Sequence, residues 1–533
     1  MTRIKFMTAV LVAASCASIH AQTTSDASSS SLEQTVAAQQ AQIDKLTATV
    51  NDLKNTDAGL TETVVNNQKA LTDDIDSPSA IHYKGVTITP VGFFAAESVY
   101  RQRSINSDIN TPFNSQLFPG AAQYYTSEFN FSARQSRLGV LAQGKLGNVN
   151  LTGYFEGDFL GSGTTSNDNQ SNSYVFRQRL FFGQVALHSG LTITGGQTWS
   201  LVTETKTGVD PRSEVLPQTP DAQYVIGFSW ERQPGIRVAQ KFGNLTLAGS
   251  LEQTENIFSA VTPYANFFIG APGVSGGLFN AYNGNYSNNI APDVILKATY
   301  DSKYGHFEIG GLSRFFRDRV YPGYTGTTSV PVGTPAVNDT KFGGGFFFNA
   351  HVPMTKYFTL GVHGLQGTGV GRYGTAGLPD TTVHLDGTLE PIRATQGLLS
   401  LEFHPTPKMD IMGYAGGEYA QRTTYLYAAG KYDGYGVLNA NVSGCGTEYT
   451  PTATSGYGPA GATNCSAVTR DLIEGTASVI YRFYNGPKGR VQMNVAYSYL
   501  KREAWTGTIS TGVFGSPNGN NNMAFTSLRY YLP

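Results

Sequence analysis

Charged residues are scarce in this 533-residue sequence: 14% are Asp, Glu, Lys or Arg, where an average globular protein carries about a quarter. Net charge is nearly absent as well, with 37 basic against 38 acidic residues. Without a basic excess the chain lacks the electrostatic footprint of phosphate neutralisation, so nucleic acid is excluded as a partner. No run of about 20 apolar residues occurs, which excludes a bundle of transmembrane helices; the mean hydropathy is −0.21. Cysteine is limited to three residues, while glycine (61), tyrosine (30) and phenylalanine (30) are abundant. The length suits two or three soluble domains or one large barrel. Whatever is buried must be buried in short segments.

Residues 1–21 read as a secretory signal. Arg3 and Lys5 precede an apolar run from Phe6 to Ala17, and the small-residue stretch Ser18-Ile19-His20-Ala21 ends at a cleavage site before Gln22. A lipoprotein processing site at Ala13-Ala14-Ser15-Cys16 is the weaker reading, because it lacks the usual branched apolar residue at its first position. Cleavage after Ala21 leaves Cys445 and Cys465, which in an exported chain are expected to form one disulfide stapling a Gly/Thr/Ser-rich loop. Such a staple is worth roughly 3 kcal/mol in the entropic account.

Residues 22–80 form a spacer and a helix. Leu32, Val36, Ile43, Leu46, Val50, Leu53, Leu60, Val64 and Leu71 recur at alternating spacings of three and four, with polar interruptions at Gln39, Asp57 and Asn67. That is a coiled-coil seam. Its flanks are polar, so the stripe needs a partner, and self-association is expected. Asp76-Ser77-Pro78-Ser79 marks the boundary between this helix and the remainder of the chain.

From residue 81 to 533 the period is two. Val491, Met493, Val495, Tyr497 and Tyr499 share one face, with Gln492, Asn494, Ala496 and Ser498 on the other; Ile473, Ala477, Val479, Tyr481 and Phe483 likewise oppose Glu474, Thr476, Ser478 and Arg482. The breakers place strands at 84–101, 127–145, 148–160, 173–187, 190–202, 234–242, 245–254, 291–301, 305–317, 340–352, 356–367, 394–404, 408–421, 470–483, 489–502 and 521–532. Every second connection is tight, such as Leu146-Gly147, His188-Ser189 and Gly243-Asn244, and those between are long. An even count of strands near ten residues, with loops long on one side only, predicts an all-β transmembrane barrel of sixteen antiparallel strands. A soluble sandwich has shorter strands and no such asymmetry. Lipid cannot satisfy an open sheet edge, so the strands must close on themselves.

A barrel of this size leaves an aqueous channel whose selectivity is set by charges at its narrowest point. Alternation turns Arg177 and Arg179 inward, Glu156 and Asp158 inward on the strand before them, and Arg237 with Lys241 inward further on. Arg134 and Arg137 both face inward only if the alternation slips once between them. This belt of alternating sign with a cationic surplus reads as a transverse field that admits small anions, or equally as internal salt bridging that stiffens the wall. The connection from 203 to 233 carries Glu204, Lys206, Asp210 and Arg212 and is the candidate for a loop folded inward to narrow the lumen. Within it, 224–230 could instead add a strand. Scattered histidines, no phosphate loop and no nucleophile elbow give no support to catalysis, and no cofactor or metal is expected.

Four motifs in order, Arg134-Gln135-Ser136-Arg137-Leu138-Gly139, Glu156-Gly157-Asp158-Phe159, Gly196-Gln197-Thr198-Trp199-Ser200 and Arg232-Gln233-Pro234-Gly235-Ile236-Arg237, resemble those of the DcaP-like porins of Gram-negative outer membranes. The terminal strand Leu528-Arg529-Tyr530-Tyr531 departs from the usual ending, since Leu532-Pro533 replaces a final Phe or Trp. The resemblance implies a homotrimer that passively takes up small anionic solutes, dicarboxylates among them, through an arginine-rich constriction. It makes Arg134, Arg137, Arg177, Arg179 and Arg237 pore-lining. It implies an outer-membrane setting among lipid and lipopolysaccharide, with the N-terminal segment in the periplasm; peptidoglycan is a partner only if that coiled coil serves as a tether. The long connections 256–290 and 422–469 match no motif. A sugar-selective channel, and a structural protein tethering outer membrane to cell wall, are the alternatives.

Overall fold

The structure is a computed structural model describing residues 29–76, 80–162, 166, 173–261, 266–272, 285–323, 335–449 and 464–533. The expected signal lies outside these residues, as do parts of 256–290 and 422–469. The chain divides into two units, Met1–Ser79 and Ala80–Pro533.

In the first unit a single helix, α1, runs Ser29–Asp76. Its apolar stripe is uncovered: Val36, Ile43, Leu46, Val50, Leu53, Leu60 and Val64 are all at least half exposed.

The second unit is a closed barrel of sixteen antiparallel strands. They are β1 (Val86–Arg101), β2 in two pieces (Glu128–Ser132 and Arg137–Leu146), β3 (Val149–Gly161), β4 (Val175–Leu187), β5 (Leu191–Trp199), β6 (Arg232–Phe242), β7 (Leu245–Glu252) and β8 (Asp293–Ser302). Then come β9 (Gly305–Val320), β10 (Val337–Pro353), β11 (Phe358–Thr368), β12 (Arg393–Thr406), β13 (Met409–Ala420), β14 (Thr469–Gly486), β15 (Gly489–Ala504) and β16 (Asn518–Tyr531). Each strand pairs with its sequence neighbours, and β16 returns to β1 through pairs such as Phe93 with Tyr531 and Arg101 with Met523. No edge of the ring is left open, as a bilayer requires.

Burial follows the two-residue period. On β14, Leu472, Glu474, Thr476, Ser478 and Ile480 are buried while Ile473, Gly475, Ala477, Val479 and Tyr481 are exposed. The exposed side round the ring is aromatic and aliphatic, including Phe131, Phe181, Ile236, Phe346, Leu399 and Tyr497. An apolar exterior over a polar, charged interior fits lipid outside and water or protein inside.

The strands fall where the alternation predicts to within three residues at each end, and two departures have a local cause. The second strand is interrupted at residues 133–136, so the expected slip between Arg134 and Arg137 is a local break that takes Arg134 out of the ladder. The fifth ends at Trp199 rather than 202, because Leu201 already turns inward and donates its N–H to Glu252 on β7 (2.8 Å). Residues 224–230 add no barrel strand; they contribute one bridge, Ser229 to Gly374.

The lumen is fuller than its polar lining suggests. Ile109, Phe113, Ile226, Leu378, Ile392 and Tyr435, from four long connections, form one apolar cluster with the inward residues Leu472, Leu500, Met523 and Phe525. The long-loop end of the barrel therefore carries a packed core, and any passage must skirt it.

Candidate functional site: the lumen wall and its inward loop

Residues 200–231 cross the lumen, and their orphan backbone groups explain how they are held. Inward carboxylates on the wall accept the loop's N–H groups: Thr205 donates to Glu308 on β9 (2.9 Å), Ile226 to Glu474 on β14 (2.8 Å) and Gly227 to Glu418 on β13 (2.9 Å). Tyr414 Oη accepts from Gln218 N–H (2.8 Å), and Arg237 donates to the carbonyls of Val209 (2.8 Å) and Trp199 (2.7 Å). Backbone lies on backbone where Ile226 and Gly227 meet the wall. Gly227 has φ +84°, and a Cβ there would collide with the Gly397 carbonyl, as one on Gly416 would with that of Ile226. Glycine is required at both places by close approach, and at Gly227 by conformation also.

Three buried carboxyls, Glu204, Glu214 and Asp221, belong to the loop itself. Burial pushes the Glu204 carboxyl up to about 7 despite His351 3.5 Å away. Burial likewise raises Asp221 to about 6, although it accepts from the N–H groups of Thr111 and Gln223.

The wall from β2 to β4 carries the charge belt. Arg179, 2% exposed, donates to Glu156 (2.9 Å) and Asp158 (2.8 Å); Arg177 binds Asp158 (2.7 Å); Arg137 lies 3.3 Å from Glu156. Three arginines thus share two carboxylates. Arg134, in the break of β2, pairs instead with Asp108 (2.9 Å) and stacks 3.5 Å over the Tyr174 ring. Arg237 is buried as a loop anchor, and Lys241 is exposed beside the tight turn at 243–244, apart from the belt. Of the loop residues singled out from sequence, Glu204 is buried, Lys206 and Asp210 are exposed, and Arg212 (φ +76°) lays its guanidinium 4.6 Å over the Tyr154 ring. Cys445 and Cys465 are joined as a disulfide in the connection between β13 and β14.

Sequence reasoning missed three arginines. Arg232 stacks on Trp230 (4.6 Å) and Trp199 (5.2 Å), and its buried Nε and Nη1 have no hydrogen-bond partner. Arg490 stacks 4.1 Å over Tyr531, and Arg529 binds Glu97 (2.7 Å). Arg529 alternates with outward Leu528 and Tyr530, so its inward placement was readable, although the belt expected from alternation ends at the sixth strand. Arg490 and Arg529 join Arg137 because the ring closes, bringing β15 and β16 beside β1 and β2.

Together Arg137, Arg490 and Arg529, with Gln135, Tyr224 and Tyr531, line a cavity of about 230 Å³. On the other side of the loop a second recess of about 340 Å³ is lined by Gln223, Trp230, Glu231 and Arg372. Tyr224 faces the first space and its neighbour Gln223 the second, so the loop stands between two chambers.

One solved structure, the outer membrane channel DcaP of Acinetobacter baumannii, matches 85% of this chain and 100% of its own at a TM-score of 0.56 and 14% identity. The two chains share a fold. An anion-selective porin from Comamonas acidovorans aligns over 84% of this chain and 100% of its own, at a TM-score of 0.43 and 10% identity. OmpT of Vibrio cholerae aligns over 85% and 99%, at 0.42 and 9%. No family model and no curated protein matches the sequence.

Proposed function

We propose that the chain is a passive diffusion channel of the bacterial outer membrane with a preference for small anions such as dicarboxylates. One observation carries the reading: the chamber beside the inward loop has three arginines, Arg137, Arg490 and Arg529, against the two carboxylates bonded to them, Glu156 and Glu97. Nε of Arg137 and of Arg490 has no protein partner. A cationic surplus with spare donors in a narrow, low-dielectric passage attracts anions and repels cations. The DcaP fold and the sequence motifs support the same reading. The uncovered stripe of α1 is assigned to self-association, with three copies as the expected assembly.

The test is planar-bilayer recording in a salt gradient. A zero-current potential of anion-selective sign is expected, with conductance in groups of three steps and liposome swelling faster in dicarboxylates than in oligosaccharides. Cation selectivity overturns the reading, and faster swelling in sugars replaces it with a sugar channel. Deleting 29–76 is expected to leave conduction intact and weaken assembly; loss of cell-wall association alone would favour a tether.

A further inference from the structure

The outer wall holds a feature that passage through the lumen does not use. A groove of about 760 Å³ runs over the outward side of β8 to β12, with Gly311 and Gly344 in its floor, Leu296, Phe342 and Phe346 along it, and Arg393 lining one end. Phe346 is 80% exposed and Phe342 65%, so these rings stand up as walls beside residues that have no side chain.

Arg393 opens β12 and shares a row with Thr368 on β11, Gly344 on β10 and Ser313 on β9. It stands at the long-loop end, and its guanidinium makes no hydrogen bond or ion pair with the described residues. Two more arginines take outward positions toward the same end of β9. Arg317 has a buried Nε without a partner, and Arg319 bonds only the neutral side chain of Asn338 (2.9 Å). Strand spacing puts β9 and β12 about 14 Å apart, and Arg317 lies about 13 Å along β9 from the Arg393 row. The carboxylates of these four strands, Glu308, Asp318, Asp339 and Glu402, alternate to the inward side with buried Leu312, Asn349 and Ser400. The outward rim is thus positive with nothing on the wall to balance it.

We infer that this groove is a docking site for a lipid of the outer leaflet that carries more than one phosphate, as the lipid A of lipopolysaccharide does. An acyl chain lies in the glycine-floored channel between Leu296, Phe342 and Phe346, and phosphates meet Arg393 and the Arg317–Arg319 pair. Apolar area and charge complementarity are both needed: the groove alone accepts any acyl chain, and the separated arginines select a headgroup with spaced negative charge. The inference rests on the barrel standing in a membrane, but not on which solute it passes.

The full-length protein in nanodiscs of phosphatidylcholine, with and without lipid A, tests this by native mass spectrometry of retained lipid. Wild type should retain lipid A over phosphatidylcholine. The double variant Arg317→Gln/Arg393→Gln should retain it about tenfold less, since one charge-assisted hydrogen bond is worth on that order. Gly311→Leu fills the groove from a position where a Cβ meets only ordinary contacts, the nearest at 3.5 Å. It should also lose lipid A while its heat-modifiable gel shift and conductance stay as in wild type. Equal retention by wild type and both variants, or equal retention of phosphatidylcholine, overturns the inference. So does a Gly311→Leu variant that keeps lipid A and falls apart into single chains, which would assign the groove to a second copy. A wild type that retains lipid A without conducting would instead sink the channel reading alone.

Discussion

Two stretches of the barrel interior carry similar ion pairs put to different use. On the side of β8 to β10, Arg314 is fully buried among Asp293 (3.1 Å), Asp380 (2.7 Å) and the carbonyls of Gly369 and Glu255, and Lys297 is fully buried between Glu308 (2.6 Å) and the Thr203 carbonyl (2.9 Å). On the side of β2 to β4 and β15 to β16, Arg177 keeps a third of its side chain exposed, and Arg137 and Arg490 keep a free Nε. In the first group every side-chain nitrogen has a partner on the wall or on a loop it holds; in the second, nitrogens are left over. Counting inward charges therefore does not locate a pore. What separates scaffold from passage is whether the donors are already used.

Breaking the scaffold side has the largest expected effect. Arg314→Ala leaves Asp293 and Asp380 buried without their cation, which typically costs about 3–5 kcal/mol. Thermal unfolding should show it, and any folded fraction should keep its ion selectivity. Gly227→Val comes next, because a Cβ there meets the Gly397 carbonyl in a backbone conformation valine disfavours, at a cost of about 1–3 kcal/mol. The loop should leave its seat on Glu418 and Glu474 and raise single-channel conductance; unchanged conductance would show that this contact does not narrow the path.

The smallest effect concerns pH. Glu204 and Asp221 have folded-state values raised to about 7 and about 6, above ordinary carboxyl values of 4.5 and 3.8. A raised value means the packed loop favours the protonated acid. Their contribution is complete below the ordinary values and is lost as pH rises through about 6 and about 7. Conductance should rise modestly between pH 5 and pH 8, and Glu204→Gln should flatten the upper part of that rise. A fall over the same range would reverse the sign of this account.

Most of the barrel was legible because a wall between lipid and lumen imposes a strict two-residue period and the tight turns punctuate it, as on β14 with Ile473 out and Glu474 in. The belt was legible for the same reason: Arg177 and Arg179 are two apart. What escaped was decided by closure and by the loop. No local pattern reveals that Arg529 and Arg490 come to stand beside Arg137, since that depends on β16 pairing with β1. Nor does local sequence show that Glu418 and Glu474 serve as acceptors for loop amides rather than as pore charges. Alternation puts them inside; only the path of residues 200–231 says what they face. Lys241 shows the converse, an inward parity that ends at a turn and contributes nothing to the belt.

The central claim is that the arginines with unused donors set selectivity and the saturated ones do not. The zero-current potential of Arg137→Gln/Arg177→Gln/Arg490→Gln in a salt gradient tests it most directly. The account predicts that the anion-to-cation permeability ratio drops roughly fivefold, equivalent to about 1 kcal/mol for charges in a wet mouth. An unchanged potential in a variant that still folds and conducts would contradict it.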